Sequence, residues 1–327
     1  MAHQETEQKS NYLKGVVPRG FRSPDPNVRW FMDAVKSWDQ KSHMWMSIIG
    51  IPFDGGTVSA RRGSRYAPSR IREYLYSLTT YNIEHDSDIT QPLYDCGDVE
   101  VDIVDFDETM RRLRLAAQSV FGNAEHVIAL GGDHSLTNEL IRAARNAAGE
   151  EIGVVQFDAH HDMRTKWGHH SGFWLRALVD DGTLKGENVY QIGVRGSLYS
   201  PYYTDYLRQK EIRYLTAYAF HEIGVEKALA EIADRLKHVK EVYVTFDIDA
   251  VDQAFAPGTD HPSAGGLSSD EALRLVYGLA SRLSVRWLDV MEVSPPHDIA
   301  EQTVGLAGEL AMQFIHARCK ESPRKET

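Results

Sequence analysis

Six residues suited to ligating metal ions, four acids and two histidines, fall in three short segments. They are Gly-Gly-Asp-His-Ser at 131–135, Asp-Ala-His-His-Asp at 158–162 and Asp-Ile-Asp-Ala-Val-Asp at 247–252. Each follows a run of apolar, β-prone residues. Asp and His are costly at the end of a buried strand, and clustered carboxylates repel one another and bind protons more tightly. Taken singly, an Asp-His after two glycines reads as a helix cap, and an Asp-x-Asp as a loop acid. Three such placements together point to a cation. Asp158, His160 and Asp162 stand at alternate positions and share one face if the strand continues; Asp247 and Asp249 repeat that spacing. His134 follows glycines that allow a tight turn and close backbone approach. The set His134, Asp158, His160, Asp162, Asp247 and Asp249 supplies two imidazoles and four carboxylates, which offset two divalent ions. Oxygen-rich ligands with some imidazole suit Mn²⁺, and Ni²⁺ or Zn²⁺ less distinctively. Two metals about 3.5–4 Å apart can turn water into a nucleophile near neutral pH.

The elements that must position these residues alternate. The pattern predicts strands over Met44–Ile51, His126–Leu130, Ile152–Phe157, Val189–Val194, Val242–Phe246 and Trp287–Val293. Helical spacing falls over Glu108–Phe121, Ser135–Ala148, Val225–Val239 and Glu301–Arg318. Ser268-Ser-Asp-Glu271 is a capping box that opens a further helix to about Leu283. Such alternation predicts an α/β fold, a doubly wound, mostly parallel sheet with helices on both faces. No internal repeat or linker divides it, so a single domain over 41–327 is expected. Residues 1–40, with Pro18, Pro24 and Pro26, read as an N-terminal extension pinned by Trp30 and Phe31. In open α/β sheets the ligand sits beyond the carboxyl ends of the strands, where all three segments fall.

Bulk properties narrow the function. The chain has 327 residues and a formal net charge of −11, which argues against a nucleic-acid or anionic-membrane partner. Cys96 and Cys319 are isolated, with no CxxC spacing, and fit a reducing cytoplasm. The polar N-terminus has no apolar signal region, and no apolar run nears the ~18 residues of a membrane helix.

The three segments resemble those of the ureohydrolases, the arginase and agmatinase family. Further stretches carry the likeness. Gly50-Ile-Pro-Phe-Asp-Gly-Gly56 with Arg62-Gly-Ser-Arg-Tyr-Ala-Pro-Ser-Arg-Ile-Arg72 is similar to the family's N-terminal block. Asp249 to Thr259, Gly265-Gly-Leu267 and Asp289-Val-Met-Glu292-Val-Ser-Pro-Pro-His-Asp298 match later blocks. The resemblance spans about residues 45–318 and lies nearer the agmatinase branch than true arginases. It implies an arginase-like fold and a binuclear centre of Mn²⁺ or Ni²⁺. It also implies hydrolysis of a guanidino group to urea plus an amine, in a trimer or hexamer. Carried over, His134 and Asp162 would bind one metal and His160 and Asp249 the other, with Asp158 and Asp247 shared. Asp162 would pass a proton to the departing nitrogen, and Glu292 would hold the guanidinium N–H groups.

The departures concern the substrate. His170 is read as the shuttle and substrate-contacting histidine, with His169 its rival. Arg164, Lys166 and Trp167 occupy the same loop, and Trp174 follows it. Asp252-Gln253 stands where relatives usually carry Asp-Pro, and Asp260-His261 where they carry small residues. The Asn/Ser-rich segment with which arginases hold an α-amino acid is missing. Two cationic side chains at an entrance would disfavour a long ammonium tail. The expected substrate is a small or unusual guanidine: guanidine, an alkylguanidine, a metformin-like biguanide or a guanidino acid, with His261 among its contacts. The alternatives are agmatine, a formimino or amide substrate of the same fold, and a non-catalytic subunit in a hetero-oligomer with an active paralogue.

Overall fold

The computed structural model describes residues 25–165 and 170–321. Its strands are β1 (Val35–Ser37), β2 (Met44–Gly50), β3 (Tyr81–Asn82), β4 (Ser87–Asp88), β5 (Leu93–Asp98), β6 (Ala124–Leu130), β7 (Gly153–Phe157), β8 (Val189–Val194), β9 (Arg213–Thr216), β10 (Val242–Asp247) and β11 (Val285–Met291). β3 and β4 form a small antiparallel pair; the other nine make one sheet in the order β1-β5-β2-β6-β11-β10-β7-β8-β9. Every pairing in that sheet is parallel.

Two hydrophobic cores explain the near-continuous apolar strands. One joins a face of the sheet to helices Ala67–Leu75, Ala217–Leu236, Ser269–Arg282 and Gln302–Glu321. The other packs the opposite face against Phe106–Asn123, Thr137–Ala148 and Trp174–Asp180. Strands buried on both faces must be largely apolar, as β6, β7, β8 and β10 are. Ser268 accepts from the Glu271 amide while Glu271 reaches back to Ser268, which is the expected capping box.

The N-terminal stretch is tied to the body: Trp30 bridges Thr79, Phe31 is fully buried, and β1 pairs with β5. The helix read from Val225 is preceded by a segment starting at Ala217, the two meeting at Gly224 with φ of 76°. It ends at Leu236. β5, with the polar sequence Leu-Tyr-Asp-Cys-Gly-Asp, was not read as a strand; its Asp95 is buried against Arg72. Among the described residues no helix is long and apolar enough to cross a membrane.

Candidate active site

The four central neighbours β6, β11, β10 and β7 all run in one direction, so their carboxyl ends open together. His134 follows β6, Glu292 follows β11, Asp247 ends β10 and Asp158 follows β7. The turn after β6 explains its glycines. A Cβ on Gly132 would meet the Phe53 carbonyl oxygen at 1.7 Å, and one on Gly131 the Met291 sulfur at 1.7 Å. Asp133 locks this turn by accepting the Gly56 amide at 2.7 Å and the Ser135 amide at 2.9 Å.

All six candidate ligands converge. His134 Nδ1 lies 3.2 Å from Asp158 Oδ2, 3.3 Å from Asp162 Oδ2 and 3.1 Å from Asp247 Oδ2. His160 Nδ1 lies 3.3 Å from Asp158 Oδ1 and 3.1 Å from Asp249 Oδ2. Two groups able to hold a metal result, His134–Asp158–Asp162 and Asp158–His160–Asp249, with Asp158 in both. One imidazole nitrogen cannot satisfy three carboxylates, whereas a cation central to these donors can. The donor set therefore fits divalent ions.

The electrostatics describe the same shortage of positive charge. Burial raises the pKa of Asp162 and of Asp247 well above the ordinary range; Asp158 pushes Asp162 further, and Asp249 and Asp158 push Asp247 further. Burial alone would depress the two imidazoles. Asp158, Asp247 and Asp162 override it at His134, and Asp249 and Asp158 at His160, so both lie well above their usual value. Burial would raise Asp158 too, but the two histidines hold it below its usual value.

Backbone and neighbours hold the cluster rigid. Asp162 and Glu292 adopt φ of 52° and 60°, strained values for residues with side chains. Asp158 accepts from Gln156 Nε2 at 2.7 Å and from the His160 amide at 2.6 Å. Asp249 accepts from the Ala159 amide at 2.9 Å. Trp174 Nε1 donates to Asp162 Oδ2 at 2.6 Å, so Trp174 is a buried support and not bulk in the pocket. His134 Nε2 meets Thr245 Oγ1 at 2.8 Å, and Thr245 donates to Asp289 at 2.6 Å. This relay fixes the His134 ring so that Nδ1 faces the carboxylates. Sequence reading missed Gln156, Thr245 and the role of Asp289. Their signal was polarity inside otherwise apolar, buried strands.

A cavity of about 160 Å³ opens over the cluster, lined in part by His170, Arg164, Asp260, His261 and Glu292. Glu292 is buried; Oε1 accepts the His134 amide at 2.8 Å, and Oε2 has no hydrogen-bond partner among the described residues. Burial, then the charge of Asp260, raises its pKa well above the carboxylate range. His170 is buried and lines the cavity. His169, Lys166 and Trp167 lie outside the described residues. Arg164 departs from expectation: its guanidinium donates to the Leu198 carbonyl at 2.8 Å and lies over the rings of Tyr199 and Tyr203. Asp252 is a loop acid that accepts the amides of Ala254 and Gly266.

This fold and site are those of a metal-dependent C–N hydrolase class. The arginase family matches residues 45–317, and the chain belongs to it. It is 35% identical over 278 residues to guanidinopropionase from Pseudomonas aeruginosa, covering 83% of this chain and 85% of that one. It is 33% identical to formimidoylglutamase from Halalkalibacterium halodurans, over 87% of this chain and 91% of that enzyme. Among solved structures, proclavaminate amidino hydrolase from Streptomyces clavuligerus superposes with a TM-score of 0.83 at 31% identity, covering 90% of this chain and 98% of that one. The protein is an arginase-family hydrolase acting on guanidino or amidino C–N bonds.

Proposed function

We propose that this enzyme uses two divalent ions, Mn²⁺ or Ni²⁺, to hydrolyse a small or unusual guanidine to urea plus an amine or ammonia. The observation that carries the reading is Glu292, which lines a cavity together with residues of two ligand groups that share Asp158 and whose Oε2 has no hydrogen-bond partner among the described residues. Bound there, the ions supply Lewis acidity that activates water near neutral pH. His134 and Asp162 would hold one and His160 and Asp249 the other, with Asp158 and Asp247 available to both.

The remaining steps belong to the chain. Glu292 accepts guanidinium N–H groups in a charge-assisted pair and orients the carbon. Water adds to that carbon, and Asp162 accepts the proton that water loses. The bond from carbon to the leaving nitrogen then breaks; that nitrogen takes the proton from Asp162 and, through His170 as the shuttle, the hydroxyl proton of the adduct, which leaves the C=O of urea. Guanidinium plus water thus gives urea plus ammonium; an alkylguanidinium gives urea plus the alkylammonium. Trp174 keeps Asp162 oriented through its 2.6 Å hydrogen bond.

Agmatine and formimino substrates are the rival readings, the latter supported by the formimidoylglutamase likeness. A purely supporting subunit is disfavoured because all six ligand positions are filled. We further propose a cytoplasmic homo-oligomer, trimeric or hexameric, which light scattering tests. The decisive experiment loads the protein with Mn²⁺ and Ni²⁺ in parallel. Urea is then measured from guanidine, methylguanidine, dimethylbiguanide, 3-guanidinopropionate and agmatine. Urea from agmatine alone would sink the small-guanidine reading, and a single tightly bound zinc would sink the two-metal site.

A further inference from the structure

The cavity holds a second carboxylate that the reaction does not use. Thr259 and Val293 form an antiparallel bridge, and the Ser294 amide donates to the Gly258 carbonyl at 2.7 Å. The bridge brings Asp260, next after Thr259, toward Glu292, next before Val293, and the charge of Asp260 bears on Glu292. Both are buried and both line the cavity. Like charges brought together out of water repel strongly.

Asp260 is built to stay in place. Its Oδ2 accepts from Thr57 Oγ1 at 2.6 Å and lies 3.0 Å from His261 Nδ1, and its carbonyl accepts from Ser59 Oγ at 2.9 Å. The four carboxylates of the metal cluster offset two divalent ions. Glu292 and Asp260 are then left over. The described cavity lining offers the two ligand histidines, His170, His261, which is already on Asp260, and Arg164, which donates to the Leu198 carbonyl and lies over two tyrosines. Glu292 lines the same space, and its Oε2 has no hydrogen-bond partner among the described residues.

We propose that Asp260 and Glu292 form a two-carboxylate clamp that selects compact, N–H-rich cations without a carboxylate, namely guanidinium, alkylguanidines and biguanides, and rejects guanidino acids. The proposal rests on the guanidine-hydrolase reading and deepens it. A carboxylate tail entering this cavity would meet the like charges of Asp260 and Glu292. A biguanide presents donors along two edges and can engage both acids. His261, 3.0 Å from Asp260, lines the same cavity and also serves as a positioning residue for Asp260.

The test pairs binding with turnover on the metal-loaded protein. Calorimetry measures guanidinium, 1,1-dimethylbiguanide and 3-guanidinopropionate on wild type, Asp260→Asn and Asp260→Ser, and urea formation is followed on the same set. Wild type should bind both carboxylate-free cations at least about tenfold more tightly than 3-guanidinopropionate. Both variants should shrink that preference about tenfold, chiefly through KM, with kcat altered far less. Tighter wild-type binding of 3-guanidinopropionate would overturn the clamp. So would variants that weaken all three ligands by the same factor. Absence of urea from every compound, with the binding order intact, would overturn the guanidine-hydrolase reading and leave the clamp standing.

Discussion

Two groups of aspartates lie near carboxyl ends of strands in the same sheet, and they are resolved in opposite ways. At β5, Arg72 from helix Ala67–Leu75 reaches Asp95 through Nε at 2.8 Å and Nη2 at 3.2 Å, bonds the Gly97 carbonyl at 2.9 Å and pairs with Asp98. Tyr76 adds its hydroxyl to Asp95 at 2.7 Å. Burial would lower the Arg72 pKa, but Asp95 and Asp98 raise it above its usual value. Across β6, β10 and β7 the acids outnumber their partners: four aspartates share two imidazoles. The first group carries its own cation and needs nothing further. The second is incomplete without one, and that shortage marks it as functional.

The largest expected effect tests the second group. Asp158 belongs to both ligand groups, so Asp158→Asn should reduce urea formation by at least about 10³-fold and abolish two-metal stoichiometry by elemental analysis. Circular dichroism should show a folded chain, because the substitution removes one repelling charge. Full activity in this variant would remove the two-metal mechanism. Arg72→Met reverses the pattern. It strands Asp95 without its cation in the interior and should cost about 3–5 kcal/mol in urea denaturation. If Arg72→Met left stability intact, the contrast between a completed and an incomplete cluster would fail.

The same contrast governs what could be read from sequence. The metal cluster was legible because its charges follow clearly apolar strands: Asp158 directly follows Gly153–Phe157, and Asp247 closes Val242–Asp247. The Arg72 cluster was hidden. Its acids break the apolar pattern of β5, and their partner lies 23 and 26 residues away, a distance that periodicity does not report. β1 was hidden likewise, since three residues at a sheet edge, half-buried at best, carry no alternation. The direction of Arg164 was set by Tyr199 and Tyr203, more than thirty residues on, so its charge was placed at the entrance when the fold draws it aside. The Asp260–Glu292 juxtaposition depends on a bridge between Thr259 and Val293, which only the folded chain reveals.

Proton linkage sharpens the comparison at a smaller scale. In the metal-free protein Asp162, Asp247 and Glu292 titrate well above their ordinary values through burial and neighbouring acids, and His134 and His160 are raised by their aspartates. A raised folded pKa gives stability that is present below the unfolded value and lost as pH rises through the folded one. Metal-free stability should therefore fall as pH rises, from about 4 through the acids and from about 6.5 through the imidazoles as well, each on the order of 1 kcal/mol per unit. His126, lowered to about 3 by burial and then by Arg318 and Arg286, has the opposite sign but acts only below 6.5. Metal loading should flatten the decline, because bound ligands are deprotonated throughout. Thermal melts with and without chelator measure this. A metal-free curve that rises with pH would contradict the excess of buried acid.

Tyr76→Phe asks the finest question, whether the completed cluster is redundant. Asp95 Oδ2 takes hydrogen bonds from both Tyr76 and Arg72 Nε, so losing the hydroxyl leaves the carboxylate with its cation. The cost should be about 1–2 kcal/mol, less than for Arg72→Met. Urea formation and metal content should stay at wild-type levels, since Tyr76 touches neither the ligands nor the cavity lining. A variant that kept its stability but lost metal would show that the two clusters are coupled through β2 and β6. They would then be one network, and the separation drawn between a self-sufficient cluster and a cation-requiring one would have to be abandoned.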